Sequence, residues 1–140
     1  MVSIYDNDDV RLAGRGAGGA AHYRWTMMGT MTRDERASYT LSFADFDIEP
    51  RLRRLSRGGA VVRIGARAFD ILWLLAEAPG QVLEHRYLLE RAWAGRVVGE
   101  ANLRVQIAAL RRALDIEGVE RYILNVPGRG YLLTAPVVRR

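Results

Sequence analysis

Apolar and polar positions follow three successive rhythms from residue 41 onward. The stretch LSFADFDIEP alternates as a strand, a turn and a second strand, with Phe43 and Ile48 inward. Positions 51–55 and 60–64 continue as two more short strands, joined by Arg57, Gly58 and Gly59 as a glycine turn. Together these predict a small four-stranded antiparallel sheet. The rhythm then becomes helical over residues 66–77, ARAFDILWLLAE. Between positions 68 and 76 only Asp70 is polar, so this helix must be covered on nearly every side. Pro79 and Gly80 stop it, and Trp73 belongs to its packing. A short extended piece at 81–83 leads to a second helix over 84–94, with Leu88, Leu89, Ala92 and Trp93 inward.

The third helix, residues 100–114, organises what remains. Leu103, Ile107, Leu110 and Leu114 recur at helical spacing and give one apolar stripe. On the opposite side lie Ala101, Val105, Ala108, Ala109 and Arg112, with Arg104 and Arg111 at the edge. This outer face holds positive charge and small apolar groups. Arginine reaches phosphates and guanine edges, while small side chains permit close approach to a groove. Glu100 opens the helix, where an acid suits the positive end of the dipole. A hinge at Gly118 precedes a strand over 121–126, a tight turn at Pro127, Gly128, Arg129 and Gly130, and a returning strand over 131–134. The predicted fold class is α+β: a winged helix-turn-helix with an N-terminal antiparallel sheet, a three-helix bundle and a C-terminal hairpin wing. An arginine at the hairpin tip suits the narrow minor groove.

Residues 1–40 show little periodicity. They run from the acidic MVSIYDNDD through the glycine-rich AGRGAGGAA to a Trp/Met patch. Dense glycine costs backbone entropy on ordering, so a mobile tail is expected over 1–40, with a short helix near 34–38. Met27, Met28 and Met31 leave alternative translation starts open. The domain proper is expected over 41–138.

Charge sharpens this division. Residues 1–50 hold five arginines against eight acids, whereas residues 51–140 hold sixteen against eight, a local balance of +8. Concentrated basic charge fits nucleic acid or an acidic partner. Six of these arginines fall between positions 51 and 67 without an acid, giving either a basic flank or a solvated sheet face, the latter favoured. The chain has no cysteine, which excludes thiol catalysis, disulfides and cysteine-held metal. No apolar run reaches membrane-span length and no secretory signal pattern opens the chain, so no membrane association and a cytoplasmic location are expected. His85 has no second histidine or suitably spaced carboxylate to make it a metal ligand or base, and adjacent Glu84 does not change that. The glycine run at 14–19 lacks the ending of a phosphate-binding loop. No enzyme activity, cofactor or metal is expected.

Residues from about 41 to 136 resemble the C-terminal effector domain of bacterial response regulators of the OmpR/PhoB type. The likeness is carried by Phe69-Asp70-Ile71-Leu72 with Leu74-Leu75, by Pro79-Gly80-Gln81-Val82, and by Leu88-Leu89 with Trp93. It continues through Val105-Gln106-Ile107 and Leu110-Arg111-Arg112-Ala113-Leu114, and ends in the run from Tyr122 to Tyr131. The resemblance implies that the third helix enters the major groove and that the wing touches the adjacent minor groove. Ala101, Arg104, Val105, Ala108 and Ala109 then face bases or nearby backbone. Asn102, Gln106 and Arg112 take phosphate or flanking contacts, Arg111 borders the same face, and Arg129 is the wing-tip residue. Loop 94–99 corresponds to one that contacts RNA polymerase in relatives, while Phe69, Trp93, Leu110 and Tyr131 match core positions.

Departures from the pattern bear on specificity. Relatives often carry a basic residue at the position of Ala101 and basic or polar residues at Ala108 or Ala109. Alanine offers a base edge no hydrogen bond, which leaves Val105 and the alanines to thymine methyls. Weak selectivity for a single half-site and strong salt dependence follow. The 40-residue leading segment is too short and irregular for a phosphorylatable receiver domain, so a stand-alone regulator, a fragment or a remnant is expected. The sequence therefore predicts double-stranded DNA binding in transcriptional regulation, by a protein monomeric in solution and dimerising, where it does so, on DNA. The alternative is a protein-interaction winged helix that docks through its alanine-rich face.

Overall fold

A computed structural model describes residues 39–114 and 122–140. The expected tail, the short helix near 34–38, the Gly118 hinge and the start of the wing strand at Arg121 lie outside the described residues. Strands β1 (Leu41–Phe43), β2 (Phe46–Glu49), β3 (Arg54–Arg57) and β4 (Ala60–Val62) form successive antiparallel pairs; the third strand is expected over 51–55, but 51–53 turn the chain after β2 and Arg57 is part of the strand. Gly58 and Gly59 both have positive φ, at 55° and 86°, so the β3–β4 connection is a two-residue turn of the type that matches strand twist. A fifth strand, β8 (Val138–Arg139), completes the sheet beside β1, in the order β4-β3-β2-β1-β8. Thr40 and Arg140 extend that pairing by two backbone hydrogen bonds, of 2.8 and 2.9 Å. The four-strand expectation is corrected here: Val138 and Arg139 carry too short a pattern to announce a strand.

Helix α1 (Ala66–Glu77) lies at the centre, and every residue from Ala68 to Ala76 is buried. Its ring and aliphatic groups join inward residues of the sheet, of helices α2 (His85–Ala92) and α3 (Glu100–Leu114), and of the hairpin in one core. The one buried acid within it, Asp70, accepts from Arg53 at 2.7 Å and from Arg67 at 3.1 Å. This pairing resolves how a carboxylate sits in an otherwise apolar helix. Arg54 pairs with Glu49 and Arg57 with Asp45, which holds the Asp45 carboxyl below the usual carboxylate range. Four of the six arginines from 51 to 67 are thus ion-paired, with three carboxylates between them, while Arg51 and Arg63 are exposed without an ion pair among the described residues.

The two ends of the domain close on α1. Trp73 Nε1 donates to the Tyr39 hydroxyl at 3.0 Å, and that hydroxyl donates to Glu77 Oε2 at 2.9 Å. Arg139 donates to Glu77 Oε1 at 2.9 Å and lies over the Tyr39 ring at 4.0 Å. The Glu77 side chain is only 4% exposed, so its charge depends on these donors. Replacing Arg139 by alanine is expected to cost about 2 kcal/mol, since a nearly buried carboxylate loses a charged donor. Adding Glu77→Gln should recover part of that loss in thermal melting. An unchanged melting temperature for Arg139→Ala contradicts the closure.

The second helix is shorter than the expected 84–94, because Ala94 and Gly95 adopt positive φ and end it. Burial pushes the Tyr87 hydroxyl on this helix up to about 12. Its raised value favours the protonated ring in the folded state. The resulting stability is present below the ordinary tyrosine range near 10 and is lost as pH climbs toward 12.

Candidate nucleic-acid interface

Helix α3 is positioned by its apolar stripe: Leu103, Ile107, Leu110 and Leu114 are all buried against α1 and α2. Full burial of such side chains contributes about 1.5–3 kcal/mol each. That anchoring fixes which residues point outward. Ala101, Asn102, Arg104, Val105, Ala108 and Arg112 are exposed, and Gln106 and Ala109 are half-buried at the margins. Asn102 bonds back to the Gly99 carbonyl through its backbone at 3.0 Å and its side chain at 3.3 Å, which tightens the first turn. Glu100 at the start and Arg111 and Arg112 in the last turn complement the helix dipole.

The hairpin comprises β6 (Ile123–Val126) and β7 (Gly130–Leu133), and Gly130 also pairs with β5 (Leu83–Glu84). The wing is therefore one part of a three-stranded sheet in the order β5-β7-β6. Pro127 and Gly128 occupy the centre of its turn, with Gly128 at φ 73° and the Arg129 N–H donating to the Val126 carbonyl at 3.0 Å. Proline followed by a positive-φ glycine is the chemistry of a type II turn. Arg129 closes this turn one residue past its apex and is half-buried. Its carbonyl accepts from the His85 N–H at 3.1 Å, tying the wing to the start of α2.

Arg111 departs from the outer-face expectation. Its Nε and Nη2 donate to the Ile123 carbonyl at 3.3 and 2.9 Å, so the guanidinium joins the end of α3 to the first residue of the wing. Arg111→Ala is expected to lower stability by about 1 kcal/mol, or roughly 4–8 °C in melting temperature. Arg111→Lys should retain part of it. Equal melting of all three proteins contradicts a strut role.

A cleft of about 270 Å³ separates the first turns of α3 from the wing turn. Arg104, Glu100 and Leu103 line one wall, Asn125, Pro127 and Gly128 the other, with His85 and Tyr131 between them. His85 Nδ1 lies 3.9 Å from Glu100 Oε1, and its ring meets Tyr131 edge-on at 5.4 Å. Histidine and asparagine at this cleft escaped sequence reasoning. Asn125 is a single polar residue in a short strand, and nothing along the chain signals that His85 faces Glu100.

Ion pairing differs between the two ends of the domain. At the sheet, Arg54 and Arg57 pair with Glu49 and Asp45, and Arg53 and the α1 residue Arg67 share the Asp70 carboxylate. Arg104, Arg112 and Arg129 make no ion pair among the described residues, and neither does Arg96 in the exposed loop before α3. Loop residue Val97 is fully exposed. Among the described residues, cations without an ion pair stand on α3, its preceding loop and the wing, and at Arg51 and Arg63 beside the sheet.

Comparisons with known proteins agree with this architecture. The model of the family "Transcriptional regulatory protein, C terminal" matches residues 59–133. Response regulator MprA of Mycobacterium leprae is 31% identical over 114 residues, covering 81% of this chain and 50% of that protein. The chain spans about half the length of the curated relatives it matches. Among solved structures, the DNA-binding domain of E. coli CadC superposes with a TM-score of 0.66 at 28% identity, covering 73% of this chain and 97% of that one. The DNA-binding domain of Klebsiella pneumoniae RstA, in complex with RstA box, gives 0.59 at 32% identity, covering 68% and 96% respectively. Among the described residues no helix is long and apolar enough to cross a membrane. A central buried helix, an exposed third helix and a hairpin wing are shared with these domains, and the chain belongs to the family of C-terminal domains of transcriptional regulatory proteins.

Proposed function

We propose that this protein binds specific double-stranded DNA and regulates transcription in the cytoplasm, with α3 in the major groove and the wing turn at the adjacent minor groove. The observation that carries this reading is that Arg104, Arg112 and Arg129 stand on α3 and the wing without an ion pair among the described residues, while four of the six arginines from 51 to 67 are ion-paired. Phosphates attract such charges without a desolvation contest against internal acids. Arg104 and Val105 approach base edges, flanked by Ala101, Ala108 and Ala109. Asn102, Gln106 and Arg112 meet the flanking backbone, and Arg129 meets phosphate or the minor-groove edge beside the turn. Arg111 supports the wing from behind. The exposed loop around Val97 is the surface offered to RNA polymerase, and the protein is a monomer that pairs on adjacent half-sites.

The Arg104→Ala/Arg129→Ala double variant tests this mode. Its affinity for a mixed-sequence duplex should fall at least tenfold at about 0.1 M salt, with the melting temperature close to that of the parent. Unchanged affinity in folded protein contradicts the proposed mode. A protein partner retained at physiological salt, with no duplex binding by the parent, supports instead a docking role for the alanine-rich face.

A further inference from the structure

The sheet β4-β3-β2-β1-β8 turns one face to the core and the other outward. Its register sets Val61, Ser56, Asp47, Ser42 and Val138 side by side in one outward row, one residue from each strand. A groove of about 380 Å³ opens on this face. Two ion pairs border it: Arg54 meets Glu49 at 2.9 Å, and Arg140 meets Asp47 at 3.0 Å. Ser56 lines the same groove. It is 7% exposed, and its hydroxyl makes no hydrogen bond among the described residues. A hydroxyl so nearly buried ordinarily has a partner. One that opens only into a groove calls for a ligand atom there.

The charges restrict what that ligand is. Two guanidiniums and two carboxylates line the groove, so their sum is zero. A simple anion would gain both arginines but meet both acids, and a simple cation would meet the reverse. A ligand carrying both charges faces no such opposition. Arg54 uses Nε and Nη2 on Glu49, and Arg140 uses Nη2 on Asp47 and Ser42. Each guanidinium has further N–H donors, which remain for a ligand carboxylate. Glu49 and Asp47 likewise keep lone pairs for an ammonium. Val61, 60% exposed, is the one large apolar side chain of the lining and suits the carbon frame between the two charges. We infer that the outer sheet face holds a binding site for a small zwitterion of the free α-amino acid class, with the Ser56 hydroxyl bonded to one of its charged ends. The site lies on the sheet face turned away from the core, and it stands apart from the DNA-binding reading.

Thermal melting of the full 140-residue chain tests this, with each standard amino acid added separately. At least one should raise the melting temperature by about 5 °C when present at about ten times its dissociation constant. Sodium acetate and methylammonium chloride each carry only one of the two charges. At the same concentration they should shift the melting temperature by no more than about 1 °C. Titration with the stabilising amino acid should move the amide resonances of residues 54–61, which form β3, β4 and their turn. Ser56→Ala should melt close to the parent, since that hydroxyl bonds nothing among the described residues, and should weaken binding about fivefold. No stabilisation by any amino acid overturns the inference. So does an equal shift from acetate, which marks a plain anion site. Undiminished binding by folded Ser56→Ala protein, or amide shifts confined to residues outside this sheet, overturns it as well.

Discussion

Gly130→Ala is expected to lower the stability of the domain by about 3 kcal/mol or more, seen as a fall in melting temperature of more than about 10 °C. A Cβ at this position would stand 1.9 Å from the Leu83 carbonyl oxygen, 2.7 Å from its carbon and 2.9 Å from Glu84 Cα. All three are backbone atoms, so no rotamer change relieves the clash. Strands β5 and β7 must separate, which breaks the Glu84–Gly130 pairing. It also disturbs the adjacent bond from the His85 N–H to the Arg129 carbonyl. The wing then loses its fixed distance from α2 and α3. Gly128→Ala is the useful comparison. Its φ of 73° imposes strain, but a Cβ there meets nothing within 4 Å, so the cost should stay near 1 kcal/mol. Equal melting of the Gly130→Ala and parent proteins contradicts the three-stranded arrangement of the wing sheet.

The second large effect concerns charge location. Arg104→Ala/Arg112→Ala should weaken duplex binding at least tenfold near 0.1 M salt and reduce the slope of log affinity against log salt by about 2. Arg54→Ala/Arg57→Ala removes the same charge from the sheet, where Glu49 and Asp45 already neutralise it. Long-range attraction changes equally in the two variants. The sheet variant should lose no more than about twofold in affinity, so any larger difference isolates direct phosphate contact on α3. Equal losses contradict α3 as the contacting surface, and both variants must melt as folded proteins for the comparison to count.

Much of the architecture was legible in the chain because strong local patterns and tertiary packing agree. The bounds of α1 and α3 follow from an almost uninterrupted apolar run and from a stripe of four buried aliphatic residues. Gly58 and Gly59 mark the β3–β4 turn because both take positive φ. The strand β8 and the pairing of β5 with β7 were not legible, since two-residue strands carry no periodicity and are defined by their partners. The outward positions on α3 followed from the same stripe that buries its other side. What each arginine does there did not follow. Arg104 and Arg111 both sit at the edge of the apolar stripe, yet Arg104 is exposed and Arg111 bonds to the Ile123 carbonyl. Only the position of the wing separates them. Likewise, acids five and twelve residues away neutralise Arg54 and Arg57, and no local pattern announces such hairpin pairs.

The central claim, that the free cations of α3 and the wing serve a sequence reader, is tested most directly by selection from a randomised duplex library. The full chain is used at two salt concentrations, and the retained duplexes are sequenced. The account predicts the same enriched motif, recurring as a repeated half-site, at both salt concentrations, with less duplex retained at the higher one. Retention without enrichment, collapsing as salt rises, leaves phosphate attraction alone and contradicts specific recognition.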